Sequence, residues 1–98
     1  MNEGIAYALI EECLKEMRQR SYPDLVALIG HPQSRTVIGE DHKQYQLEIQ
    51  VFWDSKTDGD IRVMVAADDG GWRSFKPLTD DFIMASDGSF VGESFGGY

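Results

Sequence analysis

Apolar side chains recur every three or four positions along the first part of the chain, which predicts an amphipathic helix over about residues 3–20. The apolar positions of this segment are Ala6, Leu9, Ile10, Cys13, Leu14 and Met17. Ser21 and Asp24 then match a helix-capping pattern with Pro23 in the first turn, so a second, shorter helix is predicted next. Gly30 and Pro32 end that helix.

Apolar and polar side chains alternate over residues 45–53 and again over residues 61–67. This period of two predicts two β-strands, each with one apolar face. The polar residues 54–60 between them favour a hairpin in which every apolar position meets an apolar partner. The predicted pairs are Trp53 with Ile61, Phe52 with Arg62, Val51 with Val63, and Ile49 with Val65.

Shorter strands are predicted on both sides of this hairpin. Residues 35–40 contain three consecutive β-branched side chains and are typical of an edge strand. After the Asp-Gly turn at residues 69–70, residues 72–76 are expected to return as a strand that ends at Pro77. Residues 82–85 and 90–92 flank a second Asp-Gly turn and are expected to form a short hairpin, whereas residues 94–98 are expected to be a frayed tail.

These elements predict a single α+β domain over residues 1–93. An N-terminal helix, with the short second helix, packs on one face of an antiparallel meander of about four to six strands. The arrangement is similar to the cystatin-like one, which is an analogy of architecture and does not fix function.

Charge and composition narrow the classes of function. The chain has 98 residues and a formal net charge of −8, which disfavours nucleic acid and anionic membranes as partners. It has one cysteine, so it forms no intrachain disulfide. The short apolar run near the N-terminus fits neither a signal peptide nor a membrane helix, so a soluble cytoplasmic protein is expected.

The candidate catalytic and metal motifs are weak. Counting an EF-hand loop from Asp54 puts Lys56 at a ligand position, which excludes a calcium loop. His31 and His42 lie in predicted loops without a spaced partner, and Cys13 lies on the apolar helix face. We therefore expect no catalytic residue, no metal site and no cofactor.

The sheet face that the helix leaves uncovered is the best functional clue. Phe52, Arg62 and Met64 point to that face, where Phe52 and Arg62 are placed to form a cation–π pair. Either Trp72, or Arg73 together with Phe75, joins them, depending on the length of the preceding turn. The alternative is that the C-terminal hairpin folds over these residues and forms a second small core.

Two functions are compatible with this pattern. The first is a non-enzymatic protein-interaction module that binds a protein partner, or a second copy of itself, through the outer sheet face. The alternative is a small-ligand binder with a pocket between helix and sheet near Tyr45, Trp53 and His42. A cavity of about 300 Å³ or more with convergent polar groups favours the ligand binder, and a filled core favours the module.

Residues 71–93 (GWRSFKPLTDDFIMASDGSFVGE) resemble the C-terminal part of a family of small bacterial proteins, and the strand at residues 45–54 fits the same resemblance. Together they cover about half of the chain. The resemblance implies a bacterial cytoplasmic protein, and it brings no activity with it.

Overall fold

The computed structural model describes residues 1–70 and 77–93, and in this part of the chain two helices accompany one four-stranded sheet. The elements are α1 (Glu3–Arg18), α2 (Tyr22–Val26), β1 (Gln33–Ile38), β2 (Gln44–Trp53), β3 (Ile61–Asp68) and β4 (Leu78–Met84). Each strand is antiparallel to the next, and the order in the sheet is β1-β2-β3-β4. The predicted α+β class and the meander are therefore confirmed.

Side-chain caps fix the beginning of each helix. The Asn2 side chain accepts a hydrogen bond from the Ile5 N–H at 3.0 Å, and the Ser21 hydroxyl accepts one from the Asp24 N–H at 3.3 Å. The Tyr22 hydroxyl donates to the Gly59 carbonyl at 2.6 Å, which attaches α2 to the turn between β2 and β3. Burial, together with the nearby Asp58 and Asp60 carboxylates, raises the Tyr22 pKa.

The β2–β3 hairpin has the predicted register. Trp53 lies opposite Ile61, Phe52 lies opposite Arg62, and the intervening pairs follow in order. The odd-numbered residues of both strands point to the α1 side of the sheet and are mostly buried. Because a shift by one residue would turn this apolar set to solvent, burial selects the register.

Two strand predictions need correction. β1 begins and ends two residues earlier than predicted, although it is an edge strand as expected. The strand predicted over residues 82–85 begins earlier, at Leu78, and it pairs with β3, because its buried Phe82 and Met84 join the core. The strand predicted over residues 72–76 lies outside the described residues.

The core lies between α1 and the odd-numbered face of the sheet, with α1 packed mainly over β3 and β4. Its largest fully buried side chains are Tyr45, Ile10, Leu14, Met17, Leu25, Ile49, Ile61, Val63 and Val65. The C-terminal segment extends this core, because Phe90 bridges Met84 and its ring meets the Phe82 ring edge-on at 5.6 Å. The predicted second hairpin is thus present as one bridge.

Arg18 fastens the end of α1 to this C-terminal segment. Its guanidinium lies over the Phe82 and Phe90 rings, at 5.0 and 5.6 Å from their centroids. The same group donates to the Glu93 carboxylate at 2.9 Å. The segment therefore packs on the helix side of the sheet.

Candidate interaction surface

The face of the sheet opposite α1, here called the outer face, brings together three of the residues predicted to form an interaction site. Phe52 and Arg62 are cross-strand partners, and Met64 lies two positions beyond Arg62 on the same strand. Ile83 lies on the other side of Arg62, on β4. Phe52, Met64 and Ile83, here called the Phe52 patch, surround the Arg62 side chain with apolar groups.

Two carboxylates hold Arg62 in place. Its guanidinium contacts Asp81 at 2.8 Å and Asp54 at 2.9 Å. These hydrogen bonds raise the already high pKa of Arg62, so the group stays charged. The predicted cation–π contact with Phe52 is not among those found in the described residues, where Arg18 over Phe82 and Phe90 forms this kind of contact.

The described part of the C-terminal hairpin does not cover the outer face. Phe90 packs against Phe82, which points to the helix side, and only the alternate residues of β4 reach the outer side. Phe52 is 37% exposed. The other two predicted members, Trp72 and Arg73, lie outside the described residues, as does Phe75.

A small cavity opens beside Phe52. It has a volume of about 200 Å³ and is lined by Leu28, Gly30, Pro32, Gln50, Val51 and Phe52. It exists because β2 runs past the beginning of β1, and the segment after α2 lies along the part of β2 that β1 does not pair with. We call it the Phe52 cavity.

Among the described residues, the charged side chains of the outer face are mostly acidic. Asp54 and Asp81 share Arg62, and the Glu48 and Asp68 carboxylates lie farther along β2 and β3 on the same side. Apart from Ile38, the remaining positions of the β1 and β2 half carry neutral amides and hydroxyls, including the hydrogen-bonded pair Thr36 and Gln46. The outer face therefore combines a small apolar centre with negative charge.

The residues predicted to line a ligand pocket do not meet. Tyr45 is 1% exposed, and its hydroxyl donates to the Asp41 carboxylate at 2.8 Å. Burial and this carboxylate raise the Tyr45 pKa. His42 is exposed in the same turn with a φ of 63°, whereas Trp53 is half-buried at the other end of β2.

A different groove separates the helix from the sheet. It has a volume of about 650 Å³ and runs between α1 and β1, because α1 packs over β3 and β4 and leaves the β1 side open. We call it the edge groove. It is lined by Leu9, Glu12, Cys13, Lys15, Glu16, Gln19, Arg20, Arg35, Val37 and Leu47.

The polar wall of the edge groove is an ion-pair cluster. Arg35 donates to both oxygens of the Glu16 carboxylate, at 2.7 and 3.0 Å, and Arg20 lies 3.5 Å from the same carboxylate. Hydrogen bonding from Arg35 lowers the Glu16 pKa. Burial raises the pKa of the neighbouring Cys13 thiol, which disfavours the reactive thiolate and fits its predicted role as a core residue.

Sequence reasoning missed several of these residues. Ile83 and Asp81 were not assigned to the outer face because residues 82–85 were predicted as one arm of a short hairpin, without pairing to β3. The edge groove was not predicted because a pattern of apolar positions does not say which strands a helix covers. The alternation of Val37 and Ile38 was the available signal for the groove. It places Val37 on the helix side of the sheet, where it lines the edge groove, and Ile38 on the outer face, where it is 58% exposed.

Residues 1–70 and 77–93 contain neither a cluster of metal-binding side chains nor a helix that could span a membrane. This part of the chain has no group of three or more His, Cys, Asp or Glu side chains that could hold a metal ion. None of its helices combines the length and apolarity that crossing a membrane requires.

Comparison of the sequence with protein-family models gave no match, and comparisons with curated proteins and with solved structures gave none either. The family resemblance of residues 71–93 and the cystatin-like analogy therefore stay predictions.

Proposed function

We propose that this chain is a non-enzymatic protein-interaction module that binds a basic protein partner through its outer face. The observation that carries the proposal is the Phe52 patch, a partly exposed apolar centre with a cavity beside it and carboxylates around it. Such a combination supplies both an anchor point and a charge preference.

The apolar part of the site is sized for a side chain of the partner. Energetically important interface residues tend to insert into preformed cavities near the centre of a contact. The Phe52 cavity, at about 200 Å³, is of the right order for one large side chain, and the Phe52 ring forms part of its wall. Met64 and Ile83 extend the apolar contact across the sheet.

Charge favours a basic partner over a second copy at this surface. Arg62 is neutralised by Asp54 and Asp81, which leaves Glu48 and Asp68 without a cation on the outer face among the described residues. The whole chain also carries a net charge of −8. Two outer faces packed together would place like charges against each other, whereas a basic surface would be attracted and steered.

The test is site-specific photocrosslinking in the native cells. The crosslinker p-benzoylphenylalanine replaces Phe52 in one variant and, as a matched control, Tyr7 in another. Tyr7 is 45% exposed on the solvent side of α1. We expect a discrete adduct from position 52 that is absent from position 7, and we expect its yield to fall as salt is added.

The adduct also identifies the partner. A basic protein in the adduct supports the proposal. An adduct with a second copy of this chain would show self-association through the outer face and contradict it. Equal labelling from positions 52 and 7, or no adduct from either, would also contradict it.

A second candidate function is binding of a small anionic ligand in the edge groove. Its volume of about 650 Å³ falls in the range of small-molecule sites, so the size criterion favours this alternative, although at a different place from the predicted one. Lys15, Arg20 and Arg35 line the groove together with Glu12 and Glu16, which leaves one net positive charge. Leu9 and Val37 add apolar surface.

The apolar anion 8-anilinonaphthalene-1-sulfonate is a suitable probe for this second candidate. We expect a saturable fluorescence increase, slower alkylation of Cys13 at saturation, and binding weakened about five-fold or more in Arg35→Gln. The matched variant Arg62→Gln, on the outer face, should bind the probe as the parent does. Unsaturable fluorescence, or equal weakening in both variants, would rule the groove out as an anion site.

A further inference from the structure

The two edges of the sheet differ in how they are protected. At the β4 edge the Val91 N–H donates to the Ile83 carbonyl at 2.9 Å, and the exposed end of the strand carries Asp80 and Asp81. Pairing of this kind, or charge, is the usual protection of an exposed edge. The β4 edge is therefore closed to another strand.

The β1 edge has no such protection. Its sequence, QSRTVI, contains no proline, lysine or acidic residue, and no described residue pairs with its outer side. Its one charged side chain, Arg35, is held by Glu16 on the helix side of the sheet. An unprotected edge of this kind accepts a further strand.

The alternation of hydrogen bonds along β1 shows which of its backbone groups a further strand would contact. The Gly39 N–H donates to the Lys43 carbonyl at 2.9 Å, and in an antiparallel pair the bonded residues alternate along the strand. Arg35 and Val37 therefore direct their backbone groups to β2. The N–H and C=O groups of Ser34, Thr36 and Ile38 lie at the free edge.

We propose that a second copy of this chain pairs with this edge, β1 against β1 and antiparallel, with Thr36 of one copy opposite Thr36 of the other. A two-fold axis normal to the sheet relates the copies, so the two four-stranded sheets become continuous and both α1 helices lie on one side. This surface is distinct from the outer face that is proposed to bind a basic partner.

Side-chain pairing selects this register. If the axis passed through Arg35, the two guanidinium groups would lie directly opposite each other, which is unfavourable. With the axis at Thr36, Arg35 lies opposite Val37 of the second copy, and the 58% exposed Ile38 lies opposite Ser34. Thr–Thr pairs across a sheet are favourable.

Charge also makes this edge the favourable place for two copies to meet. The chain carries a net charge of −8, so two copies repel each other over most approaches. β1 carries no acidic side chain, and its one charged residue, Arg35, is paired with Glu16. The outer face, by contrast, carries Glu48 and Asp68.

Pairing of this kind would have a consequence for partner binding. The two outer faces would form one surface with two copies of the Phe52 patch facing the same way. A partner with two matching sites would then gain avidity without any new contact.

The test uses charge complementation at the symmetry position. Light scattering should give the parent a mass of about twice 11.1 kDa. Thr36→Lys and Thr36→Glu should each be monomeric, because like charges then meet at the axis, and an equimolar mixture of the two should recover the doubled mass. Thr36 is exposed, and circular dichroism checks that each variant is folded.

Matched controls separate this edge from the other surfaces. Thr79→Lys and Thr79→Glu place the same charges on β4, and Phe52→Glu alters the outer face; all three should keep the doubled mass. A parent that is monomeric at every concentration would overturn the proposal. So would a mixture that stays monomeric, or dissociation by the Thr79 or Phe52 changes.

Discussion

Gly39 occupies a position at which no side chain fits. A Cβ at this residue would lie 2.7 Å from the Tyr45 ring, 2.7 Å from the Asp41 carboxylate and 2.9 Å from Ile5. The Tyr45 ring is buried and hydrogen-bonded to Asp41, so it has little freedom to move away. The turn after β1, the first turn of α1 and the core thus meet at one glycine.

Replacing Gly39 by alanine should therefore lower the free energy of unfolding by about 1–3 kcal/mol, the usual cost of overpacking. Urea denaturation followed by circular dichroism measures it. Gly4→Ala is the matched control, since its Cβ would have an ordinary 3.4 Å contact and its helical position favours alanine. Equal stability of the two variants would contradict the close packing of Gly39 against Tyr45, Asp41 and Ile5.

The Glu16–Arg35 pair predicts a pH dependence of stability. Because the folded protein lowers the Glu16 pKa, the ion pair stabilises the fold above the ordinary value near 4.5. This contribution is lost as the pH falls through the folded-state pKa. The Glu16 side chain is 49% exposed, so solvent screening limits the contribution to about 0.5 kcal/mol.

Thermal unfolding between pH 7 and pH 3 tests this. We expect Glu16→Gln to be less stable than the parent at pH 7, and we expect the difference to shrink as the pH falls below 4.5 and as salt is added. A difference that stays the same over the whole pH range would mean that Glu16 contributes by packing and not by charge.

At the scale of elements, the sequence predicts a strand and its register best where one face of that strand is fully buried. The alternation in β2 and β3 determines both strands and their register, because any shift would expose apolar residues such as Ile49 and Val63. The pairing of β4 with β3 was not predicted because Asp69-Gly70 favours a tight turn locally. Which residues follow that turn into the sheet depends on contacts distant in sequence, and a local pattern carries no information on them.

In the candidate site too, strand periodicity predicts some residues and contacts distant in sequence determine the others. Phe52, Arg62 and Met64 share a face through strand periodicity, so the sequence predicts their grouping. Asp81 and the edge groove depend on where β4 and α1 lie across the sheet. Those positions are tertiary, and periodicity within one element does not contain them.

The contact of Arg18 with the C-terminal segment can be tested at this scale. Arg18→Gln removes the cation over the Phe82 and Phe90 rings and the ion pair with Glu93. Together these contacts contribute about 1 kcal/mol to docking of the segment on β4. The gain is limited because the buried Arg18 Nε has no hydrogen-bond partner in the described residues.

Hydrogen exchange at Val91 measures this docking, because its N–H donates to the Ile83 carbonyl. We expect about five-fold lower protection of Val91 in Arg18→Gln, while the core amide of Val63 keeps its protection. Arg20→Gln, two residues after the end of α1, is the control and should leave Val91 unchanged. Equal exchange at Val91 in the parent and in Arg18→Gln would show that Arg18 does not hold the segment.

At the scale of the whole molecule, the sheet is two-sided in chemistry. The side toward α1 holds the buried core, including Val51 and Val63, and the other side presents Phe52 to solvent among acidic groups. Both proposed contacts use what the helix leaves free. The outer face offers apolar and acidic groups to a basic partner, and the β1 edge offers backbone hydrogen bonds to a second copy.

Thiol accessibility at two adjacent positions of β2 tests this arrangement most directly. In a Cys13→Ala background, cysteine is placed at position 52 on the outer face or at position 51 on the core face, and its reaction with 5,5′-dithiobis(2-nitrobenzoic acid) is timed. Position 52 should react about as fast as it does in the urea-unfolded chain. Position 51 should react about 100-fold or more slowly, since it reacts only through local opening. Equally slow reaction at both positions would show that the outer face is covered, which would contradict the two-sided chemistry of the sheet.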